Sequence, residues 1–277
     1  MSAVRRAVLP AAGRGTRMLP FSLAVPKELA PLGSKPAIDF VLDEAADAGL
    51  EEAIVVVAPG KELLQRHLDL SRAGGSWPGL RIRYAEQREP TGLADAILAC
   101  TGLLGDEPFA VLLPDNLPLA PDYRLASLLE LWREHGRHVV GVIEIDWRWS
   151  GRFGNSGRID SRPLAPGVLA IERLHDRGPG RLEIAGAPDA QRSTVLRACG
   201  RYVLGPAALD ALAASRRDTR GELDEIPAVQ RLAREGNLLG ALLPMPLFDV
   251  GHPAGLLAAS AWLAERANPV EHSRPFQ

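Results

Sequence analysis

Cysteine is nearly absent: the 277-residue chain has two, Cys100 and Cys199. Each sits in apolar company and neither has a C-x-x-C partner, so the expectation is buried free thiols in a reducing compartment. The six histidines form no H-E-x-x-H run and no Cys/His cluster, and His135 and His138 read as solvated. Charge of either sign is not in excess. A net charge of -2 at pH 7 leaves no polyanion footprint and excludes nucleic acid as the main partner, so positive charge must be local. No apolar run reaches the ~18 residues of a membrane span. The chain starts as a strand, not as a charged-then-apolar leader, so the expected location is the cytoplasm, with no membrane partner. Internal repeats, low-complexity tracts and flexible linkers are also missing.

What is present begins at the first strand. Ala7-Val8-Leu9 is a short apolar run, which reads as a buried strand. It leads into Pro10-Ala11-Ala12-Gly13-Arg14-Gly15-Thr16-Arg17-Met18-Leu19-Pro20, and Val25-Pro26-Lys27-Glu28 follows. Gly13 and Gly15 lack Cβ, so backbone N–H groups can close on a ligand and form an anion-binding nest. Arg17 offers a planar fork and Lys27 a point charge to a polyphosphate. Two better-known glycine loops are excluded. A dinucleotide fingerprint needs a third glycine where Met18 stands, and a P-loop needs lysine where Thr16 follows Gly15. Taken alone, the run is also compatible with an ordinary glycine turn beside surface basic residues.

With 46% hydrophobic residues the chain can bury a sizeable core. Ile38, Val41, Leu42 and Ala45 share one helical face, with Pro36 suited to the start of that helix and Gly49 to its stop. Residues 53–58 are a near-continuous apolar run, as in a parallel strand covered on both faces. Helices are expected over 61–70, 93–104, 125–134, 206–215, 222–235 and 254–266. Strands are expected over 80–87, 109–113, 139–145, 158–160, 168–172, 197–204 and 238–243. Irregular loops are expected over 177–180 and 185–192. The β-α alternation of the first half predicts an α/β fold: a doubly wound, Rossmann-like, mixed but mainly parallel sheet with helices on both faces. Sites belong at the carboxyl ends of such strands, where Gly13, Gln87 and Asp115 all stand.

The run Gly13-Arg14-Gly15-Thr16-Arg17-Met18-Leu19-Pro20 with Pro26-Lys27-Glu28 resembles the signature of the sugar-1-phosphate nucleotidyltransferases, most closely the bacterial UTP–glucose-1-phosphate uridylyltransferases. Gly200-Arg201-Tyr202-Val203-Leu204, Gly221-Glu222-Leu223, Leu113-Pro114-Asp115 and Phe248-Asp249-Val250-Gly251 extend the resemblance along most of the chain. It implies one domain over 1–268: a nucleotide-binding half over about 1–145, a smaller sugar-phosphate-binding β/α extension over about 146–252, a closing helix over 253–268, then a tail over 269–277. The implied reaction joins a nucleoside triphosphate, UTP ahead of dTTP, to a sugar 1-phosphate, with glucose 1-phosphate or a variant as the sugar substrate. The products are an NDP-sugar and pyrophosphate. Arg17 and Lys27 would be catalytic. Ala11, Ala12, Gly13, Gly15, Thr16, Gln87, Gly92 and Asp115 would bind the nucleotide. Gly154, Glu172 and Arg173 would bind the sugar phosphate, and Asp115 and Asp249 would hold Mg²⁺. Family members often form dimers or tetramers, so a homo-oligomer is implied.

Three positions depart from the family pattern. Its sugar-phosphate lysine is Arg173 here, which keeps charge but changes reach and geometry. A second lysine between Arg17 and Lys27 is Leu23, and Val195 stands near the place of an expected asparagine. These motivate the alternative of a sugar-nucleotide-binding regulatory or partner subunit that has lost turnover. Retention of Arg17, Lys27, Asp115 and Asp249 together speaks against it.

Overall fold

Apolar runs without polar alternation have no solvent side and settle in the middle of a layered molecule. The computed structural model describes residues 2–146, 158–175, 194–217 and 221–267. In chain order it contains β1 (Arg6–Pro10), β2 (Pro31–Leu32), β3 (Lys35–Pro36), α1 (Ala37–Asp47), β4 (Glu52–Val57), α2 (Glu62–Ala73) and β5 (Arg81–Glu86). Next come α3 (Leu93–Leu98), α4 (Thr101–Leu104), β6 (Phe109–Leu112), β7 (Asn116–Pro118), α5 (Ala126–His135), β8 (His138–Asp146), β9 (Ile159–Ala165) and β10 (Val168–Leu174). The last are β11 (Thr194–Leu204), α6 (Ala207–Ala213), α7 (Ile226–Arg234), β12 (Leu238–Leu242), β13 (Leu247–Asp249) and α8 (Pro253–Ala267).

Among the described residues, nine strands join in one sheet in the order β5-β4-β1-β6-β11-β8-β12-β10-β9. β5, β4, β1 and β6 are mutually parallel, as are β8 and β12. β11 runs antiparallel between β6 and β8, and β10 antiparallel between β12 and β9. All but β11 and β10 therefore point the same way. Alternate residues serve opposite faces. Ala7, Leu9, Val55 and Val57 pack with Ile38 and Leu42 of α1, Leu64 of α2 and Leu128 of α5. Val8, Ile54 and Val56 pack with Ile97 of α3, Leu212 of α6 and Val229 of α7. Helices thus cover both faces, and the strands of the second half lengthen the same sheet.

The expected helix over 93–104 is broken. The N–H of Cys100 bonds Ile97 O at 3.0 Å, a tighter i→i+3 contact that ends α3 before α4 begins. The expected helix over 222–235 shortens to α7. The loops expected over 177–180 and 185–192 lie outside the described residues. His138, expected in solvent, is 3% exposed at the start of β8, where Nδ1 accepts the N–H of Gly205 at 3.1 Å. That acceptor role requires the neutral ring. Burial lowers its pKa from 6.5 to about 4, only partly opposed by the charge of Glu235.

A folded-state pKa below the unfolded one means that protonation favours unfolding. His138 therefore supports the fold fully above about pH 6.5, and that support drains as pH falls toward about 4, up to about 3 kcal/mol. Denaturant melts at stepped pH check this: His138→Gln should flatten the curve over that interval, and an unchanged slope would exclude His138 as its source.

Candidate active site

The glycine bend is shaped by its own backbone. Past β1, the N–H of Ala11 bonds Val56 O at 2.9 Å, which steers the chain over the end of β4. Gly15 takes φ +67°, a conformation that costs a side-chain-bearing residue energy. Its carbonyl accepts from Met18 N and Ser22 Oγ, both at 2.8 Å. The resulting 3-10 turn, Thr16–Met18, presents Arg17. Lys27 opens a second 3-10 turn. Its neighbour Glu28 is buried, and Oε2 accepts from Lys61 Nζ at 2.7 Å, anchoring the loop behind the lysine.

Two acidic residues far apart in sequence meet opposite this bend. β6 delivers Leu113-Pro114-Asp115, while β13 pairs antiparallel with β7, setting Asp249 opposite Asn116. The N–H of Val250 donates to Asp115 O at 2.7 Å. Asp115 Oδ2 accepts from Lys27 Nζ at 2.6 Å and lies 3.7 Å from Arg17 Nη2, and Asn116 Nδ2 donates to Oδ1 at 3.0 Å. Asp249 Oδ2 accepts from Arg17 Nη1 at 3.1 Å, and Oδ1 from Gly251 N at 2.9 Å. Arg17 thus bridges both carboxylates. A Cβ on Gly251 would lie 2.7 Å from both Arg17 Nη2 and Asp115 Oδ2 and 3.0 Å from Asp249 Oδ1. Only glycine leaves that space open.

The charges hold one another ionised. Burial alone would lower the pKa of Lys27, which is 16% exposed, but the charges of Asp115 and Glu28 outweigh it and the net direction is up. Burial likewise works to raise the pKa of Asp115, yet Lys27 and Arg17 bring it below the ordinary carboxylate value.

Arg17, Lys27, Asp115 and Asp249 line a cleft of about 330 Å³ with Ala12, Gly13, Gln87, Gly92, Gly200 and Tyr202. Gln87 is buried at the end of β5. Gly92, at φ +114°, lies so close to Leu223 that a Cβ would meet its carbonyl oxygen at 2.3 Å. Ala11 is buried and Thr16 exposed, and neither lines the cleft. Glu172 and Arg173 are not brought to this wall. Both are exposed on β10, toward the far edge of the sheet, and Glu172 lies 3.9 Å from Arg162 on β9. Gly154 lies outside the described residues. Sequence reasoning passed over Asn116 and Lys61, and quoted Gly251 and Arg201 only within longer runs without giving either a role. Gly251 carried a usable signal, a glycine two residues after a strand-end aspartate.

Asp115 and Asp249 present hard oxygen donors to one space beside Gly251. Among the described residues no group of three or more His, Cys, Asp or Glu could enclose an ion. Two carboxylates with coordination left over suit a divalent ion that is completed by substrate phosphate and water. Among the described residues no helix is long and apolar enough to cross a membrane.

A family model described as nucleotidyl transferase matches residues 6–266. The UTP–glucose-1-phosphate uridylyltransferase 2 of Staphylococcus saprophyticus is 30% identical, over 93% of this chain and 91% of its own. The UTP–glucose-1-phosphate uridylyltransferase YngB of Bacillus subtilis is 29% identical, over 93% of this chain and 88% of its own. Among solved structures, a UDP-glucose pyrophosphorylase complexed with UDP-glucose superposes with a TM-score of 0.81 at 26% identity, covering 95% of this chain and 99% of that one.

Proposed function

The chain belongs to the nucleotidyl transferase family, and from that premise we propose that it makes UDP-glucose from UTP and glucose 1-phosphate with Mg²⁺. It is an enzyme that condenses a nucleoside triphosphate with a sugar 1-phosphate, releasing pyrophosphate. A phosphate oxygen of the sugar 1-phosphate bonds to the α-phosphorus as the bond to the pyrophosphate oxygen breaks. The second pKa of such a phosphate is about 6, so the nucleophile is already largely dianionic at neutral pH and no residue need remove a proton.

The barrier is anionic repulsion and the charge that grows on the leaving group. The protein answers with placed cations in a sheltered cleft. The N–H groups of the glycine bend and Arg17 cradle the triphosphate, and Lys27 reaches the α-phosphate. On nucleotide binding both cations exchange part of their carboxylate contact for phosphate oxygens. Asp115 and Asp249 would hold Mg²⁺, which supplies further neutralisation of phosphate charge when bound. Gln87 and Gly92 take the base. For the sugar phosphate the proposal rests on the resemblance: Glu172 and Arg173 are open to solvent on β10, with Gly154 as the third contact. Assembly as a dimer or tetramer belongs to the same proposal.

The observation that carries this is the convergence of Arg17, Lys27, Asp115 and Asp249 on one wall of the cleft. The test is pyrophosphate release from each of the four triphosphates against a panel of sugar 1-phosphates with Mg²⁺, with product mass read in parallel. UTP with glucose 1-phosphate should turn over fastest. No pyrophosphate from any pair would instead indicate a lapsed binding subunit.

A further inference from the structure

Gln87 closes β5 and its side chain reaches the cleft. Its amide nitrogen carries two hydrogens, and both are engaged: Nε2 donates to Gly92 O at 3.2 Å and to Asp95 Oδ2 at 2.9 Å. A carbonyl and a carboxylate only accept, so turning the amide over would set oxygen against oxygen twice. Oε1 is the atom left to the cleft.

Asp95 is itself pinned. Oδ2 also accepts from Thr91 Oγ1 at 2.7 Å, and Oδ1 faces Arg217 Nη2 at 3.3 Å. Burial works to raise its pKa, but the bonds from Gln87 and Thr91 and the charge of Arg217 outweigh it and lower it. The residue stays an anion that can only accept.

We infer that Asp95 is a positioning residue for nucleobase choice, fixing the Gln87 amide so that the cleft offers the base a carbonyl oxygen. That oxygen matches the imide N3–H of uracil or thymine and opposes the bare N3 of cytosine. A site built for one hydrogen-bond pattern rejects the mismatched one because a buried acceptor is left unpaired. The inference rests on the activity proposed above.

The test compares kcat/KM for UTP and CTP with one sugar 1-phosphate in the parent enzyme, Asp95→Asn, Gln87→Met and the double variant. An amide at position 95 can donate as well as accept, so the Gln87 amide loses one of its two fixed acceptors and only Gly92 O still opposes its turning. D95N should lower the UTP-to-CTP ratio at least tenfold, mainly through KM for UTP. In the Gln87→Met background the same exchange should leave the ratio unchanged. If D95N does not fold, Asp95→Ser carries the same comparison. A ratio that stays within twofold while both nucleotides decline together would overturn the positioning role. Absence of turnover by the parent enzyme would overturn the activity instead, so the two failures are distinct.

Discussion

Exchange of Lys27 for alanine should lower kcat/KM for nucleotidyl transfer by about 10³-fold, a loss of transition-state stabilisation of about 4 kcal/mol. The size follows from placement. Lys27 is largely buried, is held ionised by Asp115 and Glu28, and stands in the wall of the cleft. In a sheltered site a fixed cation does far more for a developing anion than a solvated one. Its loss should spare the fold, because Asp115 keeps Arg17 at 3.7 Å and Asn116 at 3.0 Å. Pyrophosphate release with UTP at saturating and limiting concentrations, read beside a thermal melt, decides the point. A loss below tenfold would remove Lys27 from the chemistry.

The largest effect on stability is expected elsewhere. Arg201, at 0% exposure, is among the largest fully buried side chains. Its Nε and Nη2 donate to the two carboxylate oxygens of Glu44, each at 2.7 Å, and Nη1 donates to Leu113 O at 3.1 Å. Tyr123 OH also donates to Glu44, at 2.5 Å. Burial alone would lower the pKa of Arg201, but the charge of Glu44 outweighs it and the guanidinium stays charged.

Glu44→Ala strands that charge in the core and should cost about 3–5 kcal/mol. For a chain of this size that is a fall in Tm of roughly 10 °C. Leu113 precedes Pro114 and Asp115, so the variant should also lose turnover at temperatures where it remains folded. The guanidinium chloride midpoint and the residual rate check the two parts separately. A shift under about 1 kcal/mol would mean that water or another acceptor takes over from Glu44.

The layered fold was readable because its signals are local. Val8, Ile54 and Val56 sit in runs that have no polar alternation, and the helices between them show apolar faces. Sheet order was not readable, because an apolar run states neither direction nor partner. β11 looks like any buried strand, yet it runs antiparallel between β6 and β8. His138 was misjudged because a polar residue beside Arg137 resembles surface, whereas the N–H of Gly205, which it accepts across 67 residues of chain, gives a reason for burying it.

At the site, the glycine bend, Lys27 and the two aspartates carried family motifs. What holds them was not legible: Arg201 and Gly251 stand inside quoted runs, but Lys61 behind Glu28, Arg201 behind Leu113 and the space at Gly251 arise from contacts between distant segments. Asp95 was passed over as a helix residue, since its role depends on which atom of Gln87 it faces.

The pairing of β7 with β13 has a consequence for synthesis. A nascent chain carries the bend, Lys27 and Asp115 early, but Asn116 has no strand to meet until residue 249 has left the ribosome. On the role proposed for Asp249, catalytic competence should arrive late in translation, and a prematurely terminated product lacking that strand should be inert however well its first strands had folded.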